Sequence, residues 1–324
     1  MPKAILIREY GDPSVLRLED IDVAPPDEDE LRIKQTAIGV HYHDIYVRTG
    51  LYKTLSLPGI PGVEATGTVE AVGSKVTDFR SGDRIGYITS GYGAYASHRL
   101  LKAKLAIKLP DFISDEMVAT NFTRALTVQM LVKNVAKLKS SQSILITAAS
   151  GGVGRLLCQY ANSLGVFVIG SVSTPEKGFL AKSYGADHSL IYDQKDFVSQ
   201  VMDLTQGKGV DIAYDSVGAT TFSTSLKALS KCGHLINFGQ SSGPVEPLYM
   251  PTLAEKSLTV SRPIIFHYIC NPKIYREMAE SVFESFKSHN LILPKTEPYT
   301  LENVSKAHRV LESRQGGGSL FLRP

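Results

Sequence analysis

The chain has 324 residues, 43% of them hydrophobic, and 35 basic against 32 acidic side chains leave a net charge of +3. That is apolar material for two domains or one large one, and a near-balanced charge with no long basic block gives no reason to expect nucleic acid or a membrane surface as partner. Cys158, Cys232 and Cys270 lie far apart, which implies neither a disulfide framework nor a cysteine-rich zinc knot.

Residues 1–10 lack the basic-then-apolar order of a secretion signal, and no apolar run is long enough to span a bilayer, so a cytoplasmic protein is expected. Up to about residue 110, short β-rich segments at 4–8, 31–40, 66–72 and 84–89 alternate with glycine and proline breaks, the pattern of an all-β-leaning module. A helical pattern then starts near Ser114, which can cap it ahead of Asp115 and Glu116, and runs through Leu126 and Leu131 as a connection between two domains. From residue 143 the reading becomes regular, with strands at 144–147, 166–172, 189–192, 211–215, 234–238 and 258–261 and helical stretches between most of them. Such alternation implies a doubly wound parallel sheet. After Pro263 it stops; helices at 272–289 and 302–313 and a strand at 319–322 remain, and these are expected to rejoin the first module. The fold class is therefore α/β, with expected domains at 1–122, 123–263 and 264–324, the last completing the first.

The most informative segment is Ala148-Ala149-Ser150-Gly151-Gly152-Val153-Gly154. It follows an apolar strand and opens a helical pattern at 156–164, so bare backbone N–H groups and the positive end of a helix can face a phosphate there. Three glycines alone also mark a tight turn; the second strand at 166–172 is what favours a dinucleotide. Cys158, inside the helical pattern, is expected simply to pack.

In NAD sites an acidic residue about 20 positions after the glycines binds the ribose, whereas NADP sites supply a cation instead. Here the second strand ends in Ser171-Val172-Ser173, and Glu176 comes later, beside Lys177. The serine hydroxyls and the Lys177 ammonium suit a 2′-phosphate, so NADPH is favoured; the competing reading is a solvated first-turn lysine.

Taken in order, Ala37-Ile38-Gly39-Val40 leading into Asp44, Tyr46-Val47-Arg48-Thr49-Gly50-Leu51-Tyr52, Pro61-Gly62-Val63-Glu64-Ala65-Thr66-Gly67, the glycine segment, Tyr214-Asp215-Ser216-Val217-Gly218 and Phe238-Gly239 resemble the zinc-free quinone oxidoreductases, the zeta-crystallin-like branch of the medium-chain dehydrogenase/reductase superfamily. The resemblance spans nearly the whole chain. It implies a GroES-like catalytic domain built from both chain ends, a central Rossmann NADPH-binding domain and a homodimer. It also implies cofactor contacts from Thr127, Ser150, Gly151, Gly152, Val153, Gly154, Ser171, Val172, Ser173, Lys177, Tyr192, Ser216, Phe238, Gly239, Gln240, Ser241 and Arg314, with Tyr192 and Arg314 bordering the adenosine phosphate. Around the nicotinamide it implies His41, Tyr46, Tyr52 and the segment from Arg262 to Ile265, including Ile264. A strand-end tyrosine such as Tyr192 also reads as ordinary half-buried packing.

Zinc-dependent relatives carry ligands at the positions of His41, Val63 and Thr120. One donor out of three cannot make a catalytic zinc site, which needs three protein ligands plus water, and the four-cysteine lobe of those relatives is absent; no metal is expected. His41, His43, Asp44 and Glu64 nevertheless form a donor-rich set, with His41 where the family commonly has asparagine. If that segment is extended, His41 and His43 share a face.

The implied reaction moves hydride from NADPH to a quinone, with Tyr46 and Tyr52 as candidate phenolic donors to the developing oxyanion. Proton delivery can come from Tyr52, His41 or water, while tyrosines in strand or loop segments mostly pack. An NADPH-dependent reductase of α,β-unsaturated aldehydes or ketones shares cofactor and fold, and a non-catalytic NADPH-binding protein is the reading from a different class.

Overall fold

The computed structural model describes residues 1–288, 292–314 and 319–324. They form two compact units, one of Met1–Thr123 with Ile269–Pro324 and the other of Arg124–Tyr268.

In the first unit, β1 (Lys3–Leu6) pairs antiparallel with β2 (Arg17–Asp20). Strand β3 (Glu30–Gly39) buries Leu31, Ile33, Gln35 and Ala37 and turns Lys34 and Thr36 outward, the two-residue period of a half-buried strand. Helix α1 (Tyr42–Arg48) follows at once. His41, in extended conformation, is its N-cap, and the carboxylate of Asp44 accepts the His41 N–H at 2.8 Å. The helix stops at Thr49 because Gly50 turns to φ +78°, a left-handed geometry that costs glycine little. Strands β4 (Glu64–Val72), β5 (Arg84–Ile88), β6 (His98–Lys102) and β7 (Ala106–Lys108) complete the N-terminal part, and α2 (Asp115–Gln129) contains the boundary between the units. The Ser114 hydroxyl accepts the N–H of Met117 at 3.2 Å at the start of that helix.

The second unit continues from α2 through a π-helical turn (Met130–Ala136) into an alternation of strand and helix: β8 (Ser143–Thr147), α3 (Gly152–Ser163), β9 (Phe167–Val172), α4 (Pro175–Ser183), β10 (His188–Ile191), α5 (Phe197–Leu204), β11 (Val210–Asp215), α6 (Phe222–Lys227), β12 (Leu229–Asn237), α7 (Pro251–Ala254), β13 (Thr259–Ser261) and α8 (Ile265–Tyr268). The six strands form one parallel sheet in the order β10-β9-β8-β11-β12-β13. Strand β8 is buried at Ile144, Leu145, Ile146 and Thr147, as expected of a parallel strand covered on both faces. Leu145, Ile169, Val210, Ala213 and Leu235 from the sheet pack with Phe197, Val201, Phe222 and Leu226 from α5 and α6. The chain reverses its direction of travel across the sheet between β8 and β11, and ligands of open α/β sheets lie beyond the carboxyl ends of the strands at such a reversal.

The remaining elements, α9 (Pro272–Ser288), β14 (Thr296–Thr300), α10 (Val304–Ser313) and β15 (Ser319–Arg323), belong to the first unit. Residue 289, the expected end of the long helix, lies outside the described residues. Strand β15 runs antiparallel to β3, with Phe321 opposite Gly39, and parallel to β14, giving a seven-stranded sheet ordered β14-β15-β3-β4-β5-β7 with β6 also paired to β3. Phe321 packs on Ala37 and Ala119, and Phe283 of α9 stacks on Phe122 at 5.3 Å. Burying each such ring contributes on the order of 1.5–3 kcal/mol.

Candidate functional site

At the end of β8 the backbone enters the left-handed region at Ala148 (φ +48°), returns to extended at Gly151 and starts α3 at Gly152. Among the described residues no side-chain hydrogen bond caps this helix. Its first N–H groups have no acceptor within the helix, a geometry that suits an anion. The three glycines do different work. A Cβ on Gly154 would stand 2.2 Å from the Ala148 carbonyl oxygen and 2.9 Å from the Ala149 Cα, so α3 can leave the strand this closely only without a side chain. A Cβ on Gly152 would meet the Arg124 side chain, 2.8 Å from Nε, and one on Gly151 would lie 3.0 Å from the Ala148 oxygen. Ser150 and Val153 are half-buried beside them, and Cys158 is buried in α3, where burial pushes its thiol up to about 12.

Beside this turn, β11 ends in Asp215, which is fully buried. Its Oδ1 accepts hydrogen bonds from the hydroxyls of Thr147 (3.0 Å) and Thr221 (2.7 Å) and from the backbone of Val217 (3.1 Å) and Gly218 (3.3 Å), while Oδ2 accepts one from Asn237 Nδ2 at 2.9 Å. Ser216 donates its N–H to Thr147 Oγ1 at 2.9 Å, and Ser241 donates its own to the Ser216 carbonyl at 3.3 Å. Gly239 crosses so near Ser216 that a Cβ would approach the Ser216 oxygen to 2.6 Å. Phe238 donates its N–H to the Asp215 carbonyl at 2.8 Å, and Gln240 follows half-buried. The Asn237 side chain in turn accepts a hydrogen bond from Arg262. Asp215 and Asn237 thus order the segments 216–218, 238–241 and Arg262. The sequence assigns neither a role: Asp215 stands there only as part of the marker segment Tyr214-Asp215-Ser216-Val217-Gly218 at the end of a strand, and Asn237 carries no signal of its own. Ile264 is 47% exposed, and Thr127 is half-buried on α2.

At the end of β9 the structure separates the two serines. Ser171 is only 1% exposed and its Oγ has no hydrogen-bond partner among the described residues, so its hydroxyl does not face a ligand at the surface as expected; the strand is buried on both faces and that side chain points into it. The Val172 side chain is buried as well. Ser173 is exposed, and Lys177 Nζ donates to its Oγ at 3.0 Å. Lys177 sits in the first turn of α4, whose N-cap Thr174 accepts the Lys177 N–H at 3.4 Å. Tyr192 pairs its N–H with the Val172 carbonyl at 3.1 Å and is partly buried against the core of this unit. Arg314 caps α10 at φ +56° and belongs to the first unit.

Around α1 two expectations change. Residues 41 and 43 do not share a face of an extended segment: His41 is the N-cap and His43 lies within the helix, because Asp44 at the third helical position holds the His41 N–H. Tyr46 is on this helix rather than in a strand or loop. Its ring lies 4.9 Å from that of Tyr52, which follows in a turn half-buried, and 5.4 Å from that of Tyr42. The His41 imidazole, 7% exposed, is hydrogen-bonded through Nε2 to the buried Glu64, whose other oxygen accepts the Thr123 N–H at 2.8 Å. His43 stacks on Tyr92 at 6.0 Å, and burial, aided by the charge on His41, lowers it to about 4.

The zinc positions of the related enzymes do not fit a metal here. His41 is engaged by Glu64, Val63 is a buried aliphatic, and the Thr120 hydroxyl donates to the Glu116 carbonyl at 2.7 Å. Among the described residues no group of three or more His, Cys, Asp or Glu side chains is arranged to hold a metal ion.

A doubly wound parallel sheet with an uncapped glycine turn at its reversal, in a chain with a separate β-rich unit, is the architecture of a dinucleotide-binding protein. The family model for the alcohol dehydrogenase GroES-like domain matches residues 27–111, and that for the zinc-binding dehydrogenases matches 152–284. A quinone oxidoreductase of Pseudomonas aeruginosa is 38% identical with both chains covered in full. A 2-haloacrylate reductase of a Burkholderia species is 34% identical over 100% of this chain and 99% of its own. The crystal structure of Escherichia coli quinone oxidoreductase complexed with NADPH superimposes with a TM-score of 0.95 at 37% identity, covering 99% of this chain and 100% of that one. The chain belongs to the quinone oxidoreductase family of the medium-chain dehydrogenase/reductase superfamily.

Proposed function

We propose that the chain is an NADPH-dependent, metal-independent oxidoreductase that reduces quinones. The observation that carries this reading is the uncapped start of α3 at the sheet reversal together with the exposed Lys177–Ser173 pair at the end of the neighbouring strand. Ser150 to Gly154 would hold the pyrophosphate and Ser173 with Lys177 the 2′-phosphate. Ser171 and Val172 contribute backbone alone, since their side chains are buried. Segments 216 and 238–241, with Thr127, Tyr192, Arg262, Ile264 and Arg314, complete the proposed surroundings.

Bound NADPH supplies the hydride. The chain's part is to stabilise the negative charge that develops on the acceptor oxygen. Tyr46 and Tyr52, whose rings are in contact, offer phenolic donors for it. Quinones ask little of such donors because aromatisation already favours their reduction. His41, held by Glu64, lies at the start of the helix that carries Tyr46, and the proton that completes the reduced acceptor comes from Tyr52, His41 or water. A homodimer in the cytoplasm belongs to the same reading; sedimentation of the purified chain tests the former. Among the described residues no helix is long and apolar enough to cross a membrane.

A second reading, reduction of α,β-unsaturated carbonyl compounds, is favoured by the likeness to a 2-haloacrylate reductase. Steady-state rates with 1,4-benzoquinone, 9,10-phenanthrenequinone and small enals, each with NADPH and NADH, separate the two. Quinone turnover well above enal turnover, with NADPH preferred, is expected. Enal turnover exceeding quinone turnover would transfer the assignment to the second reading, and activity lost with a chelator and restored by zinc would end the metal-independent one.

A further inference from the structure

Helix α1 is held at both ends by a buried hydrogen-bonded chain that the reaction above does not use. At its C-terminal end the buried Arg48 donates to the Gly11 carbonyl through Nε (3.1 Å), to Glu312 of α10 (2.5 and 3.2 Å) and, through Nη1, to His308 Nδ1 (3.2 Å). An arginine can only donate, which fixes the rest of the chain. His308 Nδ1 is the acceptor, so its proton sits on Nε2 and is donated to the Tyr95 oxygen at 3.0 Å. Tyr95 then gives its own hydrogen to Asp44 Oδ2 at 2.9 Å, the oxygen that also holds the His41 N–H. From Arg48 Nη1 through His308 to Tyr95, each donor along this path points toward Asp44. The other oxygen of that carboxylate, Oδ1, is buried and has no hydrogen-bond partner among the described residues.

We propose that Tyr95 and His308 are positioning residues of the reaction: through the Asp44 carboxylate they fix the backbone of His41 and the helix that carries Tyr46. The proposal rests on the reading that His41, Tyr46 and Tyr52 surround the acceptor. Burial lifts the Asp44 carboxyl to about 6, held from rising further by the charge on His41, the His41 N–H and the Tyr95 hydroxyl, while Glu64 of β4 pushes it up. The charged and titratable groups facing it are therefore His41, Glu64, Tyr95 and Tyr92, with Arg48 and His308 behind Tyr95. His308 is neutral, because burial and the Arg48 charge lower it to about 3. Removing the Tyr95 hydroxyl takes one stabilising donor from the ionised carboxylate and makes Asp44 harder to ionise. A protonated Asp44 is a poorer acceptor for the His41 N–H.

The experiment compares the wild type with Tyr95→Phe, His308→Leu and His308→Gln, the last keeping an acceptor and a donor on one side chain. Turnover of 1,4-benzoquinone is followed between about pH 5 and pH 9, with the acid limb expected near the Asp44 value. In Tyr95→Phe and His308→Leu that limb moves up by about one pH unit, so turnover at low pH falls by about tenfold while the NADPH KM stays within about twofold. His308→Gln restores the wild-type limb. In parallel, the backbone amide resonance of His41 in chain labelled with 15N-histidine reports the Asp44 titration without any turnover, and its midpoint moves up in Tyr95→Phe. An unmoved limb with an unmoved amide midpoint, even with turnover uniformly lower or the melting temperature reduced, overturns the proposal and leaves the chain a folding role alone. A wild type that reduces no quinone sinks the functional reading instead; the amide midpoint still decides whether Tyr95 governs Asp44.

Discussion

At the scale of single residues the proposed selection of NADPH turns on one ammonium group. Lys177 is already hydrogen-bonded to Ser173, so the pair is assembled before any phosphate arrives. A charge-assisted hydrogen bond contributes roughly 1.5–3 kcal/mol, so Lys177→Ala is expected to weaken NADPH binding by about ten- to a hundredfold and leave NADH binding nearly unchanged. Fluorescence titration with both nucleotides checks this, and equal losses would remove Lys177 from the 2′-phosphate site. Tyr52→Phe removes a phenol and keeps the ring that packs on Tyr46. Turnover should fall about tenfold with NADPH affinity intact, the signature of an interaction made in the transition state. An unaltered kcat would take Tyr52 out of the chemistry.

At the scale of elements, the junction of β8 and α3 distinguishes a structural glycine from a permissive one. Gly154→Ala drives a methyl into the backbone of the preceding turn, where nothing yields, and should cost about 1–3 kcal/mol or more. Gly152→Ala meets only the flexible end of Arg124, so the fold should survive it with a smaller loss. Chemical denaturation of the two variants measures the difference; equal destabilisation would contradict this division. The junction was legible in the sequence because strand, glycines and helix are neighbours along the chain, and period and turn chemistry are local signals. Which way Ser171 points was not legible, since a strand buried on both faces carries no alternation to reveal it. The helical start at Tyr42 was obscured by two histidines and tyrosines with weak helix preference, and the deciding contact, Asp44 to the His41 N–H, shows only in the fold. Tyr95, His308 and Arg48 were beyond sequence reading for a different reason: 213 positions separate Tyr95 from His308 and 260 separate Arg48 from it, and no periodicity links such partners.

For the whole molecule, the half-buried His43 and the buried His308 make stability respond to acid. His43 is lowered from 6.5 to about 4 and His308 to about 3, each chiefly by burial. Unfolding frees both to bind protons below pH 6.5, so their contribution is complete above that value and is lost as pH falls toward their folded values. Asp44, raised from 3.8 to about 6, works in the opposite sense between those limits. Two groups against one leave a net loss of roughly 2–3 kcal/mol on going from pH 7 to pH 5, at about 1.4 kcal/mol per unit. Calorimetric melts at the two pH values check it, and His308→Gln should flatten the response; identical melting temperatures in the wild type would refute the assignment of both histidines as neutral.

The first unit is split in sequence while the second is continuous. Strand β3, made before residue 40, does not gain its neighbour β15 until residues 319–323 exist, and Arg48 waits as long for Glu312. A chain emerging from the ribosome therefore carries a complete nucleotide-binding unit while the other is unfinished, and the Ile38–Gly39 end of β3, which β6 does not cover, stays an open edge until β15 is made.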